Sequence, residues 1–507
     1  MEIPGIGSWL TKRELLTPEK EAIVDGERRL NYQQLNRRVN RLAGALQGLG
    51  LQPGDRISIL SYNCLEFVEV IMAAAKLGLI LVPLNWRFTP TELAFNLNDS
   101  GAETLLFDAD LAALVKGVMG TTPLKQYIVF GEKQILGAQA YEPLLSGQSG
   151  SEPQTNLIPN LATPHIIMYT AGTTGKPKGA ILSQEASFWN ALNLNIALDF
   201  TSADRDLLVL PMFHIGGIGL FTLPMLYDGG TVVIQRTFDP GRTLALLEAE
   251  RITLFFGVPA IFLALIQHPA FDAAAIKKVR VVMSGGAPLP VSLVKHYHEA
   301  GIILRQGFGM SEAAPSITTL TKELALEKAG SIGRALMHLE ACVVDDNLKA
   351  VPAGDVGELV IRGPNLLQGY WNRPDATEEA FAGGWFHTGD LARMDEDGDL
   401  YIVERKKDMF ISGGENVYPA EVENAIYELP QVAEAAVVGV KHEKWGEVGR
   451  AVVVLKANQS LTAEAILEHL KGRLAKYKIP QSVLFMEQLP RNAAGKVLKT
   501  VIRKGMV

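Results

Sequence analysis

The chain has 507 residues, of which 48% are hydrophobic and 20% charged, and its formal net charge is −7. A chain of this length divides into roughly two to four domains. This composition excludes a mainly disordered protein, and the mild acidity argues against nucleic acid as the main partner. Glycine is the one unusual residue, at 48 of 507.

Two cysteines, Cys64 and Cys342, cannot form a disulfide framework, which fits a reducing compartment. The first residues, MEIPG, lack a basic region followed by an apolar core, so we expect no signal peptide and a cytoplasmic protein. The most apolar stretch, 67–86, is interrupted by Glu69, Lys76 and Pro83. It predicts a helix followed by a buried strand, and we therefore expect no integral membrane segment, with peripheral membrane contact left open.

Helix and strand patterns alternate along most of the chain. Apolar spacing predicts a helix over 31–49, a strand over 57–60, a helix over 65–77 and a strand over 79–83. The same rhythm returns in strands predicted at 207–211, 254–258 and 279–284, the last followed by a helix from residue 290. Continuous apolar strands separated by helices predict an α/β fold with parallel-rich sheets covered on both faces.

The pattern changes after about residue 330, where short strands such as 341–345 and 357–362 predict a β-rich subdomain over about 330–405. Residues 408–507 read as a compact α+β domain. Its predicted elements are helices at 420–428 and 462–474 and strands at 432–439 and 451–456. We therefore expect an N-terminal domain over 1–405 and a small C-terminal domain over 408–507.

The segment TAGTTGKPKG at 170–179 follows an apolar strand predicted at 166–169. Glycines leave backbone N–H groups accessible, threonines add donors and lysines add positive charge, a combination that suits a polyphosphate. It is not the common nucleotide-triphosphatase loop. Thr170 stands where that loop has its first glycine, and Pro177 replaces its magnesium-binding serine or threonine.

This segment resembles the phosphate loop of the adenylate-forming (AMP-binding) superfamily, and essentially the whole chain resembles its acyl-CoA synthetase branch. Further motifs of that family occur in order: PMFHIGG at 211–217, SGGAPL at 284–289, QGFGMSE at 306–312, GWFHTGD at 384–390, ERKKD at 404–408, ISGGENVYP at 411–419 and PRNAAGK at 490–496. The resemblance implies an acid–thiol ligase. The acid and ATP would form an acyl-adenylate and pyrophosphate, and coenzyme A would then give acyl-CoA and AMP.

The resemblance also implies a nucleotide site, with ATP, Mg²⁺ and coenzyme A as cofactor and co-substrates. Glu312 would ligate Mg²⁺, Asp390 would accept hydrogen bonds from two ribose hydroxyls, Arg405 would support the ribose or phosphate, and Phe308 would stack on adenine. The expected ATP or AMP contacts are Thr170, Gly172, Thr173, Thr174, Gly175, Lys178, Gly285, Gly286, Ala287, Gln306, Gly307, Phe308, Gly309, Met310, Ser311, Asp390, Arg405 and Lys496.

Four residues are expected to be catalytic by resemblance: Lys178, His214, Glu312 and Lys496. Lys496 would bridge the carboxylate and the α-phosphate. A hinge at 406–407, centred on Lys407, would let the C-terminal domain rotate between the two half-reactions. The expected coenzyme A contacts are Gly413, Gly414, Glu415 and Trp445.

The acyl pocket is expected to be lined by Phe213, His214, Gly216, Phe256, Val258 and Ala313. These residues come from the segments 213–217, 255–258 and 313–315, which contain no Lys or Arg. The lack of a cation favours a fatty or related apolar acid as the substrate. The alternatives are an aromatic or o-succinylbenzoate-type ligase, an enzyme that loads a carrier-protein thiol, and a non-catalytic nucleotide-binding protein. A small-molecule acid, ATP and coenzyme A are the expected partners, and a homodimer is left open.

Overall fold

The structure is a computed structural model that describes residues 3–131, 133–154, 159–170, 177–412, 415–443, 445–471, 473–491 and 497–504. Contacts divide the chain into two compact units. The large unit comprises 1–340 and 362–384, and the small unit comprises 341–361 and 385–507. The predicted hinge at 406–407 and the domain limits around it stay predictions.

The strands are β1 Glu21–Asp25, β2 Arg28–Asn31, β3 Arg56–Leu60, β4 Ile80–Leu84, β5 Thr104–Asp108, β6 Gln126–Phe130, β7 Gln139–Ala140, β8 Pro164–Thr170, β9 Lys178–Ser183, β10 Arg205–Leu208, β11 Thr231–Ile234, β12 Leu254–Gly257, β13 Val281–Ser284, β14 Leu304–Gly309, β15 Ser316–Thr319, β16 Arg334–Ala335, β17 Glu340–Val344, β18 Val356–Arg362, β19 Gly369–Tyr370, β20 Phe386–Met394, β21 Leu400–Arg405, β22 Phe410–Ser412, β23 Glu415–Val417, β24 Val432–His442, β25 Gly446–Leu455 and β26 Ser482–Phe485.

The α-helices are α1 Ser8–Leu16, α2 Tyr32–Gly48, α3 Leu65–Leu77, α4 Pro90–Ser100, α5 Ala112–Lys116, α6 Tyr141–Ser146, α7 Gln184–Leu198, α8 Ile215–Gly219, α9 Thr222–Asp228, α10 Pro240–Ala249, α11 Pro259–Gln267, α12 Ala273–Lys277, α13 Val291–Glu299, α14 Pro374–Ala380, α15 Pro419–Tyr427, α16 Ala463–Leu470 and α17 Lys499–Lys504.

Two large sheets form the centre of the large unit. One has the strand order β16-β15-β14-β13-β12-β10-β11-β1-β2, and the other β19-β9-β8-β4-β3-β5-β6-β7. Pairing is parallel through both centres. It is antiparallel at both ends of the first sheet and at the β19-β9-β8 end of the second, whereas β7 pairs parallel with β6. The predicted α/β class with parallel-rich sheets is confirmed.

Local signals explain the best-predicted elements. Asn31 caps α2 in a capping box with Gln34, and α3 ends at Gly78, whose left-handed backbone suits glycine. Every residue of α3 is buried, as expected for a helix inside a globular core, and β4 follows it. Among the described residues, no helix combines the length and apolarity needed to cross a membrane.

The small unit contains two sheets. β18 pairs antiparallel with β20, and β20 with β21, in the sheet ordered β17-β18-β20-β21. The second sheet has the order β23-β22-β25-β24, with β26 parallel to β25. The helix predicted over 462–474 ends at Leu470, because Lys471 adopts extended backbone angles.

Candidate active site

The two ends of the predicted phosphate loop are fixed by adjacent strands. β8 ends at Thr170 and β9 begins at Lys178, and these two residues are paired across an antiparallel ladder. The hydroxyl oxygen of Thr170 also lies 3.4 Å from the carbonyl oxygen of Lys178. Four predicted phosphate contacts, Gly172, Thr173, Thr174 and Gly175, lie outside the described residues.

Glu312 is buried beside the ends of this loop. It lies in a 3-10 turn, Ser311–Ala313, and its Oε1 accepts hydrogen bonds from the Thr170 hydroxyl at 3.3 Å and the Tyr370 hydroxyl at 3.1 Å. Lys178 Nζ lies 5.1 Å from the centre of the Tyr370 ring. In the part of the chain that the structure describes, no cationic nitrogen is found within 4.0 Å of Glu312. Its negative charge is therefore available to a cation ligand.

Two buried polar side chains lie side by side on neighbouring strands, one at the end of β13 and the other within β14. Ser284 in β13 pairs with Gln306 in β14, and neither Ser284 Oγ nor Gln306 Oε1 has a hydrogen-bond partner among the described residues. Buried polar atoms are normally satisfied, so this place fits a polar ligand such as a nucleotide base. A Cβ at Gly285 would lie 2.8 Å from the carbonyl oxygen of Gly307, so only glycine fits there.

The other predicted base and adenylate contacts surround this point. Gly286 and Ala287 are exposed after β13, and Phe308 is half-buried in β14, opposite Thr318. Gly309 packs against the backbone of Pro315, which leaves no space for a side chain, and the N–H of Met310 donates to the Pro315 carbonyl oxygen at 2.9 Å. Ser311 begins the turn that contains Glu312.

In the small unit, Asp390 and Arg405 form an ion pair across two strands. They are direct partners in the β20–β21 ladder, and Arg405 Nε lies 2.7 Å from Asp390 Oδ1. The Asp390 side chain is 3% exposed, whereas that of Arg405 is 34% exposed. Arg405 therefore compensates the negative charge of Asp390. The remaining lone pairs of the Asp390 carboxylate can accept hydrogen bonds from neutral hydroxyls.

Phe213 and His214 lie in an aromatic group that sequence reasoning did not assemble. The Phe213 ring is 6.2 Å from the Trp86 ring and 4.7 Å from the His214 ring. The Arg87 guanidinium stacks 4.9 Å from the Trp86 ring and 5.9 Å from that of Phe213. Burial, assisted by Arg87, lowers the pKa of His214 to about 4, so this imidazole is neutral at pH 7.

The remaining predicted acyl-pocket residues lie around a second aromatic group. The Phe256 ring is 6.0 Å from the Phe221 ring, and a Cβ at Gly285 would lie 3.1 Å from Cζ of Phe256.

The other predicted pocket residues are small or aliphatic. Val258 lies beside Gly286, and Ala313 is fully buried in the turn next to Glu312. Gly216 lies in α8, immediately after His214. These side chains give this region an apolar character.

The predicted hinge and coenzyme A residues are exposed where the structure describes them. Lys407 follows Arg405 in an exposed turn, Glu415 begins β23, and the Trp445 side chain is 43% exposed. Gly413, Gly414 and Lys496 lie outside the described residues.

A buried ionic cluster adjoins Arg405 and was missed in the sequence. Lys499 Nζ lies 2.9 Å from Glu423 Oε1 and 3.5 Å from Glu404 Oε2. Despite the opposing effect of burial, the two carboxylates raise the pKa of Lys499. Glu404 also accepts a hydrogen bond from the N–H of Ala420 at 2.9 Å. Lysine and glutamate at these spacings resemble ordinary surface charges, so no sequence signal indicated the cluster.

Comparison with known proteins decides the family. The AMP-binding enzyme model matches residues 11–371, and the model of the AMP-binding enzyme C-terminal domain matches 421–496. The chain belongs to the AMP-binding enzyme family. It is 40% identical over 504 residues to a feruloyl-CoA synthase of an Amycolatopsis species, covering 99% of each chain.

Two other relatives are named as ligases of different acids. The long-chain-fatty-acid–CoA ligase FadD13 of Mycobacterium tuberculosis is 38% identical over 504 residues, covering 99% of this chain and 98% of the relative. The o-succinylbenzoate coenzyme A synthetase MenE of Bacillus subtilis, solved with ATP and a magnesium ion, is 32% identical with a TM-score of 0.87, covering 99% of each chain. The AMP-binding enzyme described here is an acid–thiol ligase, and the ATP-bound structure supports ATP binding. Relatives that differ in their acids leave its own acid open.

Proposed function

We propose that this AMP-binding enzyme activates an apolar carboxylic acid and transfers it to coenzyme A. In the first step, a carboxylate oxygen of the acid attacks the α-phosphorus of ATP, and pyrophosphate leaves. In the second step, the coenzyme A thiolate attacks the acyl carbonyl of the adenylate, and AMP leaves. The observation that carries the proposal is Glu312, a buried carboxylate that, among the described residues, is held by two hydroxyl groups beside the ends of the phosphate loop.

Each described site residue has a distinct role in this scheme. Lys178 and Thr170 would bind the β- and γ-phosphates, and Glu312 would hold Mg²⁺, which when bound supplies positive charge to the phosphate oxygens. Ser284 and Gln306 offer polar atoms to the base. Asp390, fixed by Arg405, would accept the ribose hydroxyls.

The remaining steps rest on the sequence resemblance. Lys496 would bridge the carboxylate and α-phosphate during adenylation. Rotation about Lys407 would then bring Gly413, Gly414 and Glu415 towards the adenylate, with Trp445 contacting coenzyme A. Their exposure is compatible with these roles where the structure describes them, at Lys407, Glu415 and Trp445.

The apolar character of the acid is supported by the side chains of the predicted pocket. Phe213, Phe256 and Ala313 are buried and present no charge, and apolar pockets favour fatty or aromatic tails. The neutral His214 at the edge of this region would not attract a second carboxylate.

Arg87 gives specific support to a second candidate, an o-succinylbenzoate-type acid. It brings a guanidinium to the Phe213 ring from a loop that the motifs did not include. A second carboxylate on the acid would find a cation there. The Arg87→Met variant separates the candidates, since only a dicarboxylate should lose affinity. Arg393→Met is the control, because Arg393 also stacks on an aromatic ring, that of Tyr401 at 4.0 Å in the small unit.

The direct test measures pyrophosphate release with ATP, Mg²⁺ and acids from acetate to palmitate, plus benzoate and o-succinylbenzoate. We expect release to depend on an apolar acid, and coenzyme A to convert the adenylate into thioester and AMP. Release that ignores coenzyme A would favour carrier-protein loading. No release with any acid would contradict the proposal.

A further inference from the structure

In the small unit, the carboxylate of Glu358 contacts two residues that flank the Asp390–Arg405 ion pair. Glu358 lies in β18, next to β20. Its Oε1 accepts a hydrogen bond from the N–H of Gly389 at 3.3 Å, and its Oε2 lies 3.2 Å from Nζ of Lys406. Gly389 immediately precedes Asp390, and Lys406 immediately follows Arg405. Glu358 therefore contacts the residue before one partner of the pair and the residue after the other.

The backbone around this carboxylate is closely tied. The N–H of Lys406 donates to the carbonyl oxygen of Gly389 at 2.9 Å, and the Thr388 hydroxyl donates to the carbonyl oxygen of Leu359 at 2.6 Å. Gly389 has a φ of 69°, in the region that favours glycine. A turn of this kind is fixed by its surroundings, so the Glu358 carboxylate contributes to where Asp390 is placed.

A second acid nearby makes a natural contrast. Asp346 Oδ1 also lies 3.2 Å from Lys406 Nζ, but its side chain is 91% exposed, against 13% for Glu358. The structure gives Asp346 no hydrogen bond to Gly389, and exposed ion pairs contribute little. His387 Nδ1 lies 3.3 Å from Glu358 Oε2, which adds a further contact to the buried acid alone.

We propose that Glu358 is a positioning residue for the ribose of ATP, acting through Gly389 and Lys406 on the Asp390–Arg405 pair. This inference rests on the proposed function, in which Asp390 accepts the ribose hydroxyls. Without the carboxylate, the N–H of Gly389 loses its side-chain acceptor and Lys406 loses the less exposed of its two acidic partners. The turn then gains freedom that ATP binding must remove, so the KM for ATP rises while the acid site is unaffected.

The experiment compares Glu358→Gln, Asp346→Asn and Asp390→Asn in the full-length enzyme, using pyrophosphate release with ATP and with 2′,3′-dideoxy-ATP. Glu358→Gln preserves the shape of the side chain, and its thermal unfolding midpoint is measured beside that of Asp346→Asn. Glutamine has one accepting oxygen and no charge, so it cannot serve both the Gly389 N–H and Lys406 Nζ as the carboxylate does, and we expect Glu358→Gln to raise the KM for ATP about fivefold. The KM for the acid should not change. With the dideoxy nucleotide, which lacks both hydroxyls, the effect of Glu358→Gln should disappear.

Asp346→Asn should match the wild type with both nucleotides. An unchanged KM for ATP in Glu358→Gln, or an equal rise with both nucleotides, would overturn the inference while leaving the ligase assignment intact. If Asp390→Asn itself does not distinguish ATP from the dideoxy nucleotide, the ribose role in the proposed function fails, and the inference fails with it. The two failures are therefore distinguishable in one set of measurements.

Discussion

The two carboxylates expected to serve ATP, Glu312 in the large unit and Asp390 in the small unit, have opposite electrostatic surroundings. Glu312 is held by two neutral hydroxyls, those of Thr170 and Tyr370. Asp390 is paired with the guanidinium of Arg405 at 2.7 Å. Both side chains are buried, so the difference lies in compensation of charge rather than in exposure.

This difference assigns different chemistry to the two places. A buried carboxylate that no cation compensates among the described residues is stabilised by a cation ligand, which suits Mg²⁺. A carboxylate already neutralised by arginine gains little from a cation, yet still accepts hydrogen bonds from neutral hydroxyls. The comparison therefore predicts that charge matters at Glu312, whereas geometry and hydrogen bonding matter at Asp390.

The largest effect is expected at Glu312. Replacing it by glutamine keeps the hydroxyl contacts but removes the charge, and we expect adenylation to fall about 100-fold. The loss should be accompanied by a weaker dependence on Mg²⁺, measured as pyrophosphate release across a Mg²⁺ titration. Glu327→Gln, which changes an exposed carboxylate, is the control. Normal Mg²⁺ dependence in Glu312→Gln would show that the comparison misassigns this residue.

The next effect concerns stability and tests whether the small unit depends on internal compensation. Lys499 pairs with Glu423 and Glu404, and its side chain is 16% exposed. The Lys499→Met variant leaves one buried and one half-buried carboxylate, Glu404 and Glu423, without their cation, so we expect a loss of about 2 kcal/mol in the free energy of unfolding.

Urea unfolding measures that loss, and Lys471→Met is its control, because the Lys471–Glu468 pair is exposed and should contribute little. Adding Glu423→Gln to Lys499→Met should restore part of the stability, since it removes one uncompensated charge. A double variant whose free energy of unfolding is no higher than that of Lys499→Met alone would contradict this account.

Asp390 is expected to show a smaller effect, confined to nucleotide binding. In Asp390→Asn one carboxylate acceptor is lost while the amide oxygen remains, so the KM for ATP should rise about tenfold, with little change in kcat. Asp204→Asn is the matched control, because Asp204 is equally buried and pairs with Arg280 at 2.7 Å. A change in Mg²⁺ dependence for Asp390→Asn would remove the distinction between the two carboxylates.

Local patterns predicted much of the fold. The helix over 65–77 was predicted with the correct ends, because a mainly apolar segment is followed by Gly78, which takes the left-handed conformation. The predicted helix over 462–474 was too long, because apolar spacing continues past Leu470 although the backbone turns at Lys471. Periodicity records which residues can be helical, and the ends depend on tertiary contacts.

The candidate site was predictable in its motifs but less so in its contacts. Glu312 and Asp390 lie in short motifs, and resemblance carried their roles. Tyr370 was missed because it lies in a two-residue strand, β19, 58 residues along the chain from Glu312. Arg87 and Glu358 were missed because they lie outside the motifs. Each is far along the chain from the site region it contacts, Phe213 for Arg87 and Gly389 and Lys406 for Glu358.

The smallest effect is expected at Tyr370, and it tests how Glu312 is held. Burial and the charge of Glu312 raise the pKa of Tyr370 well above its usual value, so its hydroxyl keeps its proton and donates to the carboxylate. Tyr370→Phe removes one neutral hydrogen bond, and we expect adenylation to fall about threefold, consistent with about 0.7 kcal/mol.

Tyr401→Phe is the control, since the Tyr401 hydroxyl also donates to a carboxylate, that of Asp395 at 3.3 Å, in the small unit. Because Thr170 still holds Glu312 in Tyr370→Phe, the Mg²⁺ dependence should persist. Loss as large as in Glu312→Gln would mean that orientation by Tyr370, rather than the charge of Glu312, dominates in the large unit.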